Sequence, residues 1–89
     1  MNAIVSVLGP DKVGITAAVC VKMAEYRINI LDISMTVMQG NFTMIMVVDL
    51  EKMTAPFGVV VDACDALSKE LGVSIRIQRQ EIFDAMHEI

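Results

Sequence analysis

The sequence predicts a single α+β domain in which a four-stranded antiparallel sheet carries two helices on one face. The length of 89 residues suits one domain. Apolar residues alternate in four segments, as in strands, and recur every three to four positions in two others, as in helices. The segments follow the order βαββαβ, and two right-handed crossovers separated by a hairpin give a ferredoxin-like sandwich with strand order 4-1-3-2.

The first strand and the first helix follow from a change in apolar spacing. β-branched side chains are frequent in residues 2–8, which predicts a strand that ends at the turn Gly9-Pro10-Asp11. From residue 12 to about residue 27, apolar side chains beginning with Ile15 recur at helical spacing and predict a helix. These two elements form the first half of the first crossover unit.

A long hairpin follows this helix. Residues 28–38 and 42–50 both alternate along their length, and Gly40 between them can adopt the positive φ that a tight turn requires. Both faces of the second hairpin strand carry apolar side chains, which favours contact with a partner. The sheet face without helices is therefore predicted to meet solvent or another chain.

The second half of the chain predicts one more helix, one more strand and a tail. Pro56 suits the first turn of a helix whose apolar face continues up to Gly72, a natural C-terminal stop. Residues 73–78 alternate and predict the fourth strand. Residues 1–80 thus form the βαββαβ core. Residues 81–89 form a helix-patterned tail too short to be stable alone, which we expect to dock on its own domain or on a partner.

Composition and charge exclude several classes of function. The longest apolar runs are five residues, far short of the roughly 20 that a membrane-spanning helix needs. A net charge of −4 and four dispersed aromatic side chains argue against direct nucleic-acid binding. The two cysteines lack the spacing of metal or redox motifs, which predicts reduced thiols, a cytoplasmic location and no metal or cofactor. Because 55% of so short a chain is apolar, we expect a homodimer or larger oligomer.

The turn between the first strand and the first helix is the most informative segment. Gly14 stands near the start of the predicted helix, where its poor helix propensity needs a reason. A ligand carboxylate approaching the free amides at the positive end of the helix would supply one. Close packing of the helix on the sheet would supply another. No catalytic triad can be assembled from the sequence, so we expect no enzymatic activity.

Two segments resemble the ACT domain, a small regulatory module of amino-acid metabolism: residues 9–15, which read GPDKVGI, and residues 28–33, which read INILDI. The resemblance covers the whole chain. Within the tail, residues 82–87, which read IFDAMH, are similar to a bacterial and archaeal family of stand-alone single-ACT proteins. The resemblance implies a regulatory protein that pairs with a second copy and binds a small ligand, usually an amino acid, at the interface.

The resemblance and the helix dipole together suggest residues for this site. Backbone amides around Val13, Gly14 and Ile15 would hold the ligand carboxylate. Asn29, from the same or the opposing protomer, would orient the ligand, because a side-chain amide both donates and accepts hydrogen bonds. Ile15 and Leu31 would line an apolar wall.

Two alternatives stay open at this stage. Asp11 is expected to cap the first helix, with contact to a ligand ammonium group as its alternative role. A ligand-free dimerisation module is the alternative function, because an apolar excess alone explains association. The two functions differ in whether the Gly14 turn and Asn29 face one open pocket.

Overall fold

The structure is a computed structural model that describes residues 1–81. Its elements are β1 (Asn2–Pro10), α1 (Ile15–Glu25), β2 (Asn29–Met38), β3 (Asn41–Asp49), α2 (Phe57–Leu71) and β4 (Ser74–Arg79). The sheet order is β2-β3-β1-β4, and each neighbouring pair is antiparallel. The ferredoxin-like sandwich and its strand order are therefore confirmed. The tail predicted for residues 81–89 lies outside the described residues from residue 82 onward.

The core lies between the helices and one face of the sheet. In β1, Ala3, Val5 and Val7 alternate onto this face, and their register partners in β3 and β4 point the same way. The fully buried larger side chains of the core are Val5, Val7, Ile15, Val19, Met23, Met44, Met46, Val48, Val60 and Cys64. Each such side chain contributes about 1.5–3 kcal/mol relative to its exposed state, so this layer supplies most of the favourable free energy of folding.

The edge strand β2 extends this apolar layer beyond the cover of the helices. Ile33, Met35 and Val37 lie in register with residues of β3 that are at most 4% exposed, and so share their face of the sheet. These three side chains are nevertheless 37%, 51% and 54% exposed. We call them the β2 strip. The strip leaves an apolar surface along one edge of the protomer.

Cys64 belongs to the core and not to a reactive site. Its side chain is buried on the inner face of α2, and this burial, with a smaller effect of the neighbouring Asp65 carboxylate, raises the pKa of the thiol to about 11. Only the thiolate is nucleophilic. Cys64 therefore stays protonated and unreactive at neutral pH, whereas the half-buried Cys20 of α1 is the more accessible thiol.

The close approach of β1 to the start of β4 gives a first test. A Cβ at Gly9 would lie 2.8 Å from Cγ1 and 3.0 Å from Cβ of Val73. Gly9→Ala should therefore lower the free energy of unfolding by about 1–3 kcal/mol through overpacking, measured by urea denaturation. Gly58→Ala in α2 is the matched control, because no atom of another described segment lies within 4 Å of its Cβ position. It should raise stability by about 0.5 kcal/mol. Equal stability of the two variants would contradict the close packing at Val73.

The buried thiol gives a second test. A pKa near 11, against an ordinary value of 9.0, lowers the thiolate fraction of Cys64 about 100-fold near neutral pH. Iodoacetamide should therefore modify Cys64 in the Cys20→Ser variant far more slowly than it modifies Cys20 in the Cys64→Ser variant, as followed by mass spectrometry. Because the folded state disfavours the thiolate, the contribution of this thiol to stability is complete below about pH 9 and declines as the pH rises toward 11. Similar modification rates would place Cys64 outside the core.

Candidate functional site

The turn from β1 to α1 presents open backbone at the positive end of a helix. Gly14 is the N-cap residue of α1, with φ 88° and ψ 1°, a left-handed conformation that favours glycine. The first intrahelical bond runs from the Ala18 N–H to the Gly14 carbonyl, so the earlier N–H groups of the helix lack intrahelical acceptors. In the described part of the chain no side chain caps the helix, and its first turn holds no acidic residue. The uncompensated amides and dipole make this turn suitable for an anion.

The space in front of this turn is free. Among residues 1–81, and apart from its chain neighbours, no atom lies within 4 Å of the position that a Cβ on Gly14 would take, and Val13 is fully exposed. Tight packing of the helix on the sheet therefore does not explain the glycine. Its positive φ and the approach it leaves to the backbone remain as reasons for a residue without a side chain.

Two roles predicted from the sequence for this turn are wrong. Asp11 does not cap α1, because the helix begins at Ile15 and Asp11 stands three residues before the N-cap. Its backbone N–H instead donates to the Gly40 carbonyl at 2.9 Å, which ties the turn to the β2–β3 hairpin. The side chain of Ile15 cannot line a ligand pocket, because it is 1% exposed within the core. Only the backbone of Ile15 belongs to the turn.

Asn29 and Leu31 lie elsewhere on the sheet. Asn29 opens β2 in register with Asp49, and its side chain is exposed at the mouth of a polar cleft of about 460 Å³. The other lining residues are Arg27, Asp49, Glu51 and Lys52. We call this the Asn29 cleft. Leu31 occupies a β-bulge between Ile30 and Asp32 and is half exposed.

The two halves of the predicted site stand at opposite ends of one protomer. The register pairs Asn2 with Asp49 at one end of β1 and Pro10 with Asn41 at the other. Asn29 joins the first end through Asp49, whereas Gly14 follows the second. Eight residue steps at about 3.4 Å each separate the ends by about 27 Å. A single protomer therefore cannot bring Asn29 and the Gly14 turn to one small ligand.

The charged residues of the Asn29 cleft were not predicted from the sequence. Arg27 lies in the loop between α1 and β2, and Glu51 and Lys52 follow β3. The pairing of β2 with β3 therefore brings these residues together. The acidic and basic residues around Leu50 could have indicated a polar site, but their pattern is also typical of a solvated linker. Among residues 1–81 no group of three or more acidic, histidine or cysteine side chains could hold a metal ion. Within the same range, no helix is long and apolar enough to span a bilayer.

Comparison with known proteins gives consistent matches. A family model of the ACT domain matches residues 2–78. UPF0237 proteins of Clostridium acetobutylicum and Listeria innocua are 51% and 47% identical over 89 residues, and both alignments cover 100% of each chain. An ACT domain protein of known structure from Streptococcus pneumoniae shares 42% identity with a TM-score of 0.81, over 93% of each chain. The regulatory subunit of aspartate kinase from Thermus thermophilus, at 23% identity and a TM-score of 0.65 over 86% of this chain and 50% of that one, shares the fold alone.

Proposed function

The chain belongs to the ACT-domain family, whose members are regulatory ligand-binding modules, and we propose that it is a homodimer that binds an amino acid between its protomers. In this proposal the protein has no catalytic activity of its own and acts in the control of amino-acid metabolism. Its two free cysteines suit the reducing cytoplasm. The observation that carries the proposal is the open edge of β2.

The backbone of β2 is ready to accept another strand. The Ile33 N–H donates to the Asp32 carboxylate at 2.9 Å, so it is directed away from β3. Polar groups of alternate residues point the same way in an antiparallel ladder, and Met35 and Val37 therefore share this outward direction. The same residues form the apolar β2 strip. An edge with outward-facing backbone groups and exposed apolar side chains favours pairing with a second chain. In that pairing, a backbone carbonyl of the second chain would replace the Asp32 carboxylate as the acceptor of the Ile33 N–H.

Two-fold pairing of β2 strands would assemble the site that one protomer cannot. A symmetric antiparallel pair sets the beginning of one β2 beside the end of the other. The end of β2 leads into Gly40, whose carbonyl holds the β1–α1 turn through Asp11. Asn29 of the partner subunit would then lie beside the Gly14 turn. Each dimer would contain two such sites.

The chemistry of the combined site suits an amino acid. Amides at the start of α1 would bind the α-carboxylate, and the Asn29 side chain of the partner subunit would both donate and accept hydrogen bonds. The cleft volume of about 460 Å³ falls in the range of small-molecule sites. Val13 and the partner's Leu31 are exposed apolar side chains available to the rest of the ligand.

The alternative function is a dimerisation module without a ligand. The β2 strip favours it, because burial of three apolar side chains explains association by itself. The two functions predict the same dimer and differ only at the Gly14 turn and Asn29. Ligand binding therefore decides between them.

The first test of the proposal concerns the dimer. Met35→Lys would place two like charges in the centre of the paired edges, and should weaken dimerisation about 100-fold or more. Val59→Lys is the matched control, since Val59 is similarly exposed but lies on α2. Sedimentation equilibrium at micromolar concentration should show a dimer for the parent and for Val59→Lys, and a monomer for Met35→Lys. A monomeric parent would refute the dimer, and a dimeric Met35→Lys would move the interface away from β2.

The second test concerns the ligand. A thermal-shift screen of the parent against the twenty amino acids identifies the ligand, because binding to the folded state raises the apparent stability. Asn29→Ala should then weaken binding by about 0.5–1.5 kcal/mol in calorimetry, the effect of one neutral hydrogen bond. Gly14→Ala should weaken binding more, because a methyl group would stand where the carboxylate approaches.

The controls separate binding from folding. Ser74→Ala, at the exposed start of the opposite edge strand, should bind like the parent. Gly14→Ala costs about 1–2 kcal/mol of stability through its positive φ, so urea denaturation must show that it remains folded. Folded Gly14→Ala and Asn29→Ala proteins that bind as tightly as the parent would leave the ligand-free module as the function.

A further inference from the structure

We propose that the ligand of this site is an acidic amino acid, with a second carboxylate on its side chain, and that Arg27, Lys52 and Glu51 select it. This inference rests on the proposed function, because these residues line the Asn29 cleft that the partner subunit would contribute. It assigns a ligand class and specificity residues to that site.

Three of the four charged side chains that line the cleft form no ion pair within the described part of the chain. The Asp49 carboxylate already has partners: its Oδ1 accepts the Glu51 N–H at 3.0 Å and lies 4.0 Å from the N-terminal ammonium group. Arg27, Lys52 and the Glu51 carboxylate form no ion pair within 4.0 Å in the described part of the chain. The cleft therefore offers two free cations and one free anion.

These free charges match the groups of an acidic amino acid. Such a ligand carries two carboxylates and one ammonium group. The side-chain carboxylate would lie between Arg27 and Lys52, and the ammonium group would meet Glu51. The α-carboxylate would remain on the amides of the Gly14 turn. A neutral amino acid would leave Arg27 and Lys52 without an anionic group of the ligand as the site loses water, which is unfavourable.

The backbone also fixes the direction in which Arg27 leaves the chain. Its φ of 56° is a left-handed conformation that few residues other than glycine adopt. The Arg27 N–H donates to the Ala24 carbonyl at 3.0 Å, and the carbonyl of the preceding Tyr26 accepts the Thr54 N–H at 3.0 Å. The second of these bonds ties the end of α1 to the loop that carries Lys52. Arg27 and Lys52 line one cleft, and a guanidinium group binds a carboxylate through two parallel hydrogen bonds.

The test compares amino acids that differ only in the charge of the side chain. Calorimetry of the parent dimer should show glutamate or aspartate binding at least about tenfold more tightly than glutamine or asparagine, as expected for hydrogen bonds between charged groups. Arg27→Gln and Lys52→Gln should each reduce this ratio severalfold. Arg27→Gln should keep the backbone conformation, because Gln39 adopts φ 53° in the same chain. Arg76→Gln, on an exposed face of β4, should leave the ratio unchanged.

A second comparison tests Glu51. Glutarate has both carboxylates of glutamate but no ammonium group, so the parent should bind glutamate more tightly than glutarate. Glu51→Gln should reduce that preference while keeping the preference for glutamate over glutamine.

The outcomes distinguish this inference from the function on which it rests. Equal or tighter binding of the neutral amino acids would overturn the ligand class but keep the amino-acid site. A preference for glutamate that survives both Arg27→Gln and Lys52→Gln would overturn the assignment of these residues. No binding of any amino acid to a dimeric parent would overturn the proposed function, and the ligand class with it.

Discussion

The central ladder of β1 with β3 and β4 is the constraint on which the rest of the molecule depends. Its register places Ala3, Val5 and Val7 against the helices, and so decides which face of the sheet becomes the core. The same register carries the chain from Asn2 at one end of the sheet to Pro10 at the other. The Gly14 turn and the Asn29 cleft consequently occupy opposite ends, and neither can move toward the other without breaking the ladder.

This separation gives the open edge of β2 its importance. The β2 strip is exposed in one protomer, whereas its register partners in β3 are buried. An apolar edge of this kind is not needed for the sandwich itself. Within one protomer, the Asp32 carboxylate accepts the outward-facing Ile33 N–H of that edge. Association along β2 would bury the strip and join the two distant ends of the sheet across the dimer axis. Stability and ligand binding would then depend on the same contact.

The polar side chains of the described residues lie at the surface and at the ends of the sheet. No polar side chain among the described residues is buried in the core, and the buried thiol of Cys64 is held protonated. The groups suited to recognition lie at the ends of the sheet, as free amides at one end and unpaired charges at the other. The chain as a whole carries a net charge of −4, whereas two cations and two carboxylates line the Asn29 cleft.

The sequence by itself determined the order of the elements and the strand order of the sheet. These features depend on local periodicity, turn residues and handedness, which neighbouring residues specify. The cap predicted for Asp11 and the wall predicted for Ile15 failed because each depends on where α1 begins, and the positive φ of Gly14 delays that start to Ile15. Only the tertiary structure showed that Asn29 lies far from Gly14 and close to Arg27 and Lys52, because strand register joins segments that are distant along the chain.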